Sequence, residues 1–387
     1  MHLTTRRQTA KSILALGALA AAGLLAGCDR TPSVVHIGVA QPLSGNLAAL
    51  GQDMHNGVKL AVDELNRQGF KIKGKPVTLE IVAVDDRANA ATGKEVAQKL
   101  IDAGVVAVIG HLNSGVSIDT APMYAAKGIA QLAISTNPKF TELNLPTTFR
   151  LVANDNLQAK AMGSFAAGQL RASKFAVVDD GTPYGKGLAD LAAAQLTGKK
   201  VVSLRQSFDD KTTAFDELAA KLKDGGIDGI VSTLNDFQVL ALIDALVKVG
   251  HTQVSVLGGD TIKTTAMLKG AGKLAGLYAT SPVLDASEFP ASAKFLEAYR
   301  TAFKIDPAYG GHYSYDATHV LASAIKRAES AEPNAIVEAL RRIDGYAPVT
   351  GSMKFDAKGE QRYGVIGVYG ISAKTQQWES LVRSDAW

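Results

Sequence analysis

Four short stretches carry polar residues of a kind that could grip a small charged molecule. In VVAVIGHLNSGVS, an apolar strand runs into a loop and then a helix, with Ser114 near the helix start. Unpaired backbone N–H groups at a helix N-terminus, the positive end of its dipole and a serine hydroxyl make a receptor for a carboxylate. Equally, Asn113 or Ser114 could do no more than cap that helix. LAISTNPKFTEL sets Ser135, Thr136 and Asn137 side by side before Pro138, which completes a carboxylate grip or forms a turn. VLGGDT places Asp260 after two glycines, where it could pair with an ammonium or cap the next helix. VVDDGTPYGKG holds Tyr184 in a fourth loop, an aromatic able to cover an apolar group. Together the four sum to the complement of an amino acid's carboxylate and ammonium.

Signatures of covalent chemistry are missing. GTPYGKG has glycines too closely spaced for a phosphate loop, and Lys186 is followed by Gly187 instead of Ser or Thr. No serine sits in a G-x-S-x-G elbow, and no H-E-x-x-H or paired Cys/His spacing occurs. His312, Asp316 and His319 share a helical face by spacing, but that face reads as packed or solvated surface and no metal site is expected.

The elements that must position these loops alternate along the chain. VVHIGVA, DMHNGVKLAVDELNRQG, VTLEIVAVDD, TGKEVAQKLIDAG and VVAVIG read as strand, helix, strand, helix, strand, which predicts a parallel sheet covered on both faces. Val58, Ala61, Val62 and Leu65 fall at helical spacing, with Lys59, Asp63, Glu64 and Arg67 facing outward and Gly69 ending the helix. The rhythm restarts after FRLVAND, with a helix expected from about Gln158. It becomes mainly helical after TSPVLD and closes on strands at GSMKFD, YGVIGVYGI and QWESLV. Two successive α/β units in ~360 residues argue for two similar lobes.

The N-terminus predicts an address. Arg6, Arg7 and Lys11 precede an uncharged apolar run from Ile13 to Gly27 that ends at Cys28, the only cysteine of 387 residues. The run is short of the ~20 apolar residues needed to span a bilayer and reads as an export signal. With no second sulfur, Cys28 cannot form an intramolecular bridge. Leu25-Ala26-Gly27-Cys28 resembles a bacterial lipobox, which implies acylation of Cys28, while Asp29 resembles the residue that keeps some lipoproteins at the inner membrane. The chain has 41 Lys and Arg against 37 Asp and Glu. Removing Arg6, Arg7 and Lys11 with the leader leaves 38 against 37, a net +1. That balance gives no electrostatic footprint for nucleic acid.

From IGVAQPLSG through GVKLAVDELN, VDDRAN, VIGHLNSG, VVDDGTPYGKGLA, VLGGD, YSYDATHVLASAIKRA and GSMKFDAKGE, the sequence resembles the type I periplasmic solute-binding proteins of the leucine/isoleucine/valine-binding branch. The resemblance implies an α/β fold of two Rossmann-like lobes joined by three crossovers near residues 149–154, 280–284 and 352–355, with a ligand cleft between them. It divides the chain into a leader over 1–27, a tether over 28–33, lobe 1 over 34–150 plus 284–352, and lobe 2 over 153–281 plus 355–387. Carried over, Ser114 and Ser135 would hold the α-carboxylate. Asn137 stands where relatives often have Thr, Asp260 stands where a Glu often pairs with the ammonium, and Tyr184 matches a family tyrosine. Leu50 replaces an aromatic that contacts the ligand side chain, and Asn235 to Phe237 replaces another tyrosine. Relatives can carry a disulfide near the VDD and GHL loops, where this chain has Ala88 and Asn113.

The expectation is therefore a monomeric, non-enzymatic receptor without cofactor. It would be anchored through Cys28 on the outer face of the inner membrane, and would deliver a small, branched-chain-like amino acid to an ABC permease. A sensor of the same fold for an amino acid, amide or related small molecule, signalling ligand occupancy without transport, is the alternative.

Overall fold

The computed structural model describes residues 31–196, 201–372 and 374–386. The expected leader and Cys28 lie outside the described residues. Among the described residues, no helix is long and apolar enough to cross a membrane.

The first half builds β1 (Val34–Gln41), α1 (Ala48–Arg67), β2 (Thr78–Asp85), α2 (Ala90–Asp102), β3 (Ala107–Gly110), α3 (Ser114–Ala125), β4 (Ala130–Ala133) and β5 (Thr148–Arg150). These five strands form one sheet in the order β2-β1-β3-β4-β5, parallel throughout. β3 and β4 are buried along their whole length, as parallel strands covered on both faces must be. The second half supplies α4 (Asp155–Gly168), β6 (Lys174–Asp179), α5 (Pro183–Gln195), β7 (Val201–Ser207), α6 (Asp216–Asp224), β8 (Gly229–Thr233), α7 (Asp236–Lys248), β9 (Ser255–Gly258) and β10 (Gly276–Ser281). After α8 (Ala293–Phe303), α9 (Gly311–Ala328) and α10 (Pro333–Arg341), the chain adds β11 (Gly367–Ile371) and β12 (Trp378–Arg383). The second sheet runs β12-β11-β10-β9-β8-β6-β7, parallel except that β11 runs against both of its neighbours.

Each sheet has its own core. Val35, Ile37 and Val39 of β1 meet Met54, Val58 and Val62 of α1 and Val320, Leu321 and Ile325 of α9. Ala97, Leu100 and Tyr124 cover the opposite face. In the second sheet, Leu218 and Leu222 of α6 and Leu242 and Leu246 of α7 lie on one side, with Met162 of α4 and Leu188 of α5 on the other. The apolar stripe read from Val58 to Leu65 is the buried side of α1. α1 and α9 approach so closely at Gly57 that a methyl there would strike the carbonyl oxygen of Gly311.

One boundary differs from expectation. Lobe 2 is expected to resume at 355, yet Phe355 lies in the core of the first sheet and packs edge-on against Phe149. Gly359 accepts a hydrogen bond from the Arg150 amide at 2.8 Å, and Glu360 pairs with the Arg150 guanidinium at 2.9 Å. Residues 355–361 thus extend the edge at β5, because Arg150, fully buried, needs a carboxylate there.

Candidate functional site

In both sheets the loops singled out by sequence leave the carboxyl ends of the strands, where open α/β sheets bind ligands. Four of the expected residues, Ser114, Ser135, Asn137 and Asp260, are held in the loops that follow β3, β4 and β9 or at their helix starts. All but the half-exposed Asn137 are buried.

Around α3, neither candidate caps the helix by its side chain. Asn113 occupies the cap position without a capping bond, and its Oδ1 is buried with no partner. Ser114 is the first helical residue, and its Oγ accepts from the Asn137 amide at 3.3 Å. The N-terminus of a twelve-residue helix is thus left with its dipole and amides uncapped beside a polar loop.

Ser135 behaves differently from expectation. Its hydroxyl turns inward to Ser117 Oγ at 2.5 Å and to the carbonyls of His111 and Leu112 at 3.0 and 3.2 Å, which ties the β3 and β4 loops together. Its carbonyl accepts from Arg150. Asn137 is also occupied: Oδ1 accepts from the Lys139 amide at 2.9 Å, and Nδ2 donates to the Pro183 carbonyl at 2.6 Å. Pro183 opens α5 of the other sheet, so Asn137 bridges the lobes.

Asp260 sits in a 3-10 turn after β9 and is almost fully buried. Its Oδ1 accepts from Tyr184 at 2.8 Å and from Gln158 Nε2 at 3.2 Å, and its Oδ2 accepts from Tyr309 at 2.8 Å. Tyr184 lies in the first turn of α5 instead of a loop, and points its hydroxyl at this carboxylate. The glycine before Asp260 serves that contact: a methyl at Gly259 would collide with the Tyr184 hydroxyl. Burial and the facing carboxylates of Asp260 and Asp155 hold both tyrosine hydroxyls well above the ordinary phenol range, so they act as donors.

Sequence reasoning missed Tyr309, Gln158 and Asp155. Tyr309 precedes α9, more than a hundred residues from Tyr184, and reaches Asp260 because Asp53 of α1 pins its loop. That carboxylate accepts from the amides of Ala308, Tyr309 and Gly311 at 3.0, 2.9 and 2.7 Å and from Tyr299 at 2.6 Å. Asp155 and Gln158 belong to the first turn of α4, which begins three residues before the expected start because Asn154 caps it by accepting from Asn156 and Leu157. Asn154 followed by Asp155 was the signal available.

Leu50 and Asn235 are engaged elsewhere. Leu50 packs in the core of the first sheet. Asn235 donates from Nδ2 to Asp180 at 3.1 Å, joining a buried knot with Thr182 beneath α5. Burial pushes the Asp180 carboxyl up to about 6. The VDD and GHL loops are joined by Asp86 and His111, fully buried and 2.6 Å apart. On α9, Asp316 is bound by the Val349 and Thr350 amides and His312 lies against Phe289 and Phe295. Among the described residues no three His, Cys, Asp or Glu converge as a metal site.

Comparison with known proteins adds three findings. A family profile described as periplasmic binding protein matches residues 34–375. The Leu/Ile/Val-binding protein homolog 2 of Brucella abortus is 32% identical over 329 residues, 84% of this chain and 87% of that one. Among solved structures, the branched-chain amino acid transporter substrate-binding protein LivJ of Streptococcus pneumoniae, in complex with isoleucine, superposes with a TM-score of 0.79 at 25% identity. It covers 90% of this chain and 99% of that one. The leucine-binding protein LivK of Thermotoga maritima gives 0.81 at 24% identity over 91% of this chain and 100% of its own.

Proposed function

Because the chain belongs to the periplasmic binding protein family, we propose that it is the extracytoplasmic substrate-binding protein of an ABC importer for a small amino acid of the branched-chain type. It is a solute-binding protein and not an enzyme. The observation that carries the choice of ligand is that an uncapped helix N-terminus with buried Ser114 belongs to one sheet and buried Asp260 to the other, linked through Asn137, Pro183 and Tyr184. A zwitterion has two opposite charges to satisfy, and these are groups for both. The carboxylate goes to the α3 N-terminus, Ser114 Oγ and the loop amides near Ser135 and Thr136, and the ammonium goes to the acidic side.

Function follows from where the partners sit. Tyr309 and Asn137, carried by the first lobe, bond Asp260 and Pro183 of the second, so closure and ligand enclosure share one contact surface. A ligand that contacts both sides favours the closed form by the contacts it makes only there, and the permease reads that form.

Calorimetric titration with leucine, isoleucine and valine, against glutamate, lysine and benzoate, is the test. Saturable one-to-one binding of at least one branched amino acid is expected, and preference for benzoate over all amino acids would refute the reading. Location is part of the proposal: acylated Cys28 holds the protein at the inner membrane's outer face, because several acyl chains at ~0.8 kcal/mol per buried CH₂ make anchoring stable. Cys28→Ser should move the protein from the membrane fraction to the soluble periplasm.

A further inference from the structure

Within the carboxylate cluster, the two acids are not equivalent. Asp260 already accepts three hydrogen bonds, all from neutral donors. Asp155 is fully buried, and the Thr136 hydroxyl is the one donor acting on its carboxylate, with neither oxygen in a well-formed hydrogen bond. Gln158, one turn on and on the same helical face, gives its Nε2 to Asp260 and Thr280, while its Oε1 is buried with no partner. The unmet atoms on this face of α4 are therefore all acceptors. A buried carboxylate so poorly supplied with donors is among the costliest groups a protein can hold, and it is tolerated where a cation or a proton arrives. An ammonium brings three donors and no acceptor, which matches the two oxygens of Asp155 and the oxygen of Gln158.

We propose that Asp155, more than Asp260, supplies the charge that receives the ligand's ammonium, with Gln158 Oε1 beside it and Asp260 as the anchor that holds Tyr184, Tyr309 and Gln158 in place. The inference rests on the amino-acid reading of the site. It makes the cleft selective for acids with a free α-amine over hydroxy or des-amino acids of the same shape.

The groups facing Asp155 come from five elements: Asp260 after β9, Tyr184 of α5, Tyr309 before α9, Arg150 of β5 and Glu360 of the hairpin beside it. Burial, and then the Asp260 charge, push the empty-site carboxyl up to about 8, against the pull of the Thr136 hydroxyl and Arg150. At pH 7 the empty site therefore holds a proton, and an arriving ammonium displaces it. Affinity should rise with pH from 6 to 8 and level off above, with up to one proton released per ligand at pH 7.

The deciding experiment is calorimetry with leucine, isoleucine and valine on wild type and Asp155→Asn, in buffers of different ionisation enthalpy. 2-Hydroxy-4-methylpentanoate serves as the amine-free probe. Expected are proton release by wild type, a loss of roughly 30-fold or more in amino-acid affinity in D155N, collapse of the preference for leucine over its hydroxy analogue, and an unliganded Tm no lower than wild type at pH 8. A purely structural Asp155 would instead lower that Tm. Amino-acid affinity and proton release unchanged in D155N would overturn the proposal, as would absence of proton release by wild type should D155N not fold. If wild type binds none of the three amino acids, the functional reading itself fails and takes this inference with it.

Discussion

Asp53 and Tyr309 show how single side chains set the site. Asp53 is buried in α1 and holds three consecutive-turn amides ahead of α9. Burial raises its carboxyl against the pull of those bonds and of Tyr299. Asp53→Ala leaves those amides without acceptors and should cost about 3 kcal/mol or more in urea unfolding, with weaker amino-acid binding because Tyr309 loses its footing. Tyr309→Phe removes one donor from a buried carboxylate and should cost roughly 1–3 kcal/mol. An unchanged denaturation midpoint would show that Asp260 does not depend on that hydroxyl.

Elements contribute through their approach to one another. α1 packs against α9 across Gly57, and the Gly311 carbonyl occupies the space a side chain would need. Gly57→Ala should therefore destabilise by about 1–3 kcal/mol despite alanine's better helix propensity, and should displace the Tyr309 loop at the start of α9. Circular dichroism melts would detect it, and a Tm equal to or above wild type would contradict the packing described. α4 shows how an element boundary can hide a residue. A helix read from Gln158 leaves Asp155 in a loop, and an acid in a helix first turn normally reads as a favourable dipole partner exposed to water.

For the whole molecule, closure and pH are the measurable properties. Asn137→Ala removes a bond between the lobes and should weaken ligand affinity about 5-fold, the value of one neutral hydrogen bond, with little change in the unliganded melt. Ligand at 100 times its Kd should stabilise the protein by about 2.7 kcal/mol, read as a thermal shift. Burial pushes His312 down to about 3 from an ordinary 6.5, so the unfolded chain binds the extra proton. Stability from this group is present above pH 6.5 and is lost as pH falls toward 3. Asp180 and Asp316, both pushed up to about 6 by burial, act oppositely: their folded forms hold protons longer, so stability declines as pH rises from about 4 to 6. His312→Phe should flatten the fall of Tm between pH 7 and 5, and an unaltered profile would assign that fall to other groups.

Hydrophobic periodicity in the sequence determined the alternating elements, the largely parallel sheets and the strand ends that carry Ser114, Tyr184 and Asp260, because each depends on spacing within a few residues. The proposed address at Cys28 likewise rests on local pattern alone. Tertiary structure decided the pairings: that Ser135 and Asn137 turn to neighbouring loops, that residues 355–361 serve Arg150, and that Tyr309 reaches Asp260 while Asp155 makes no well-formed hydrogen bond. The hydrogen-bond partners of Asp260 lie 49 to 102 residues away along the chain. Which donors a buried acceptor meets is settled only when distant segments are packed against it, so the acid that waits for a cation cannot be told from its neighbour by residue type.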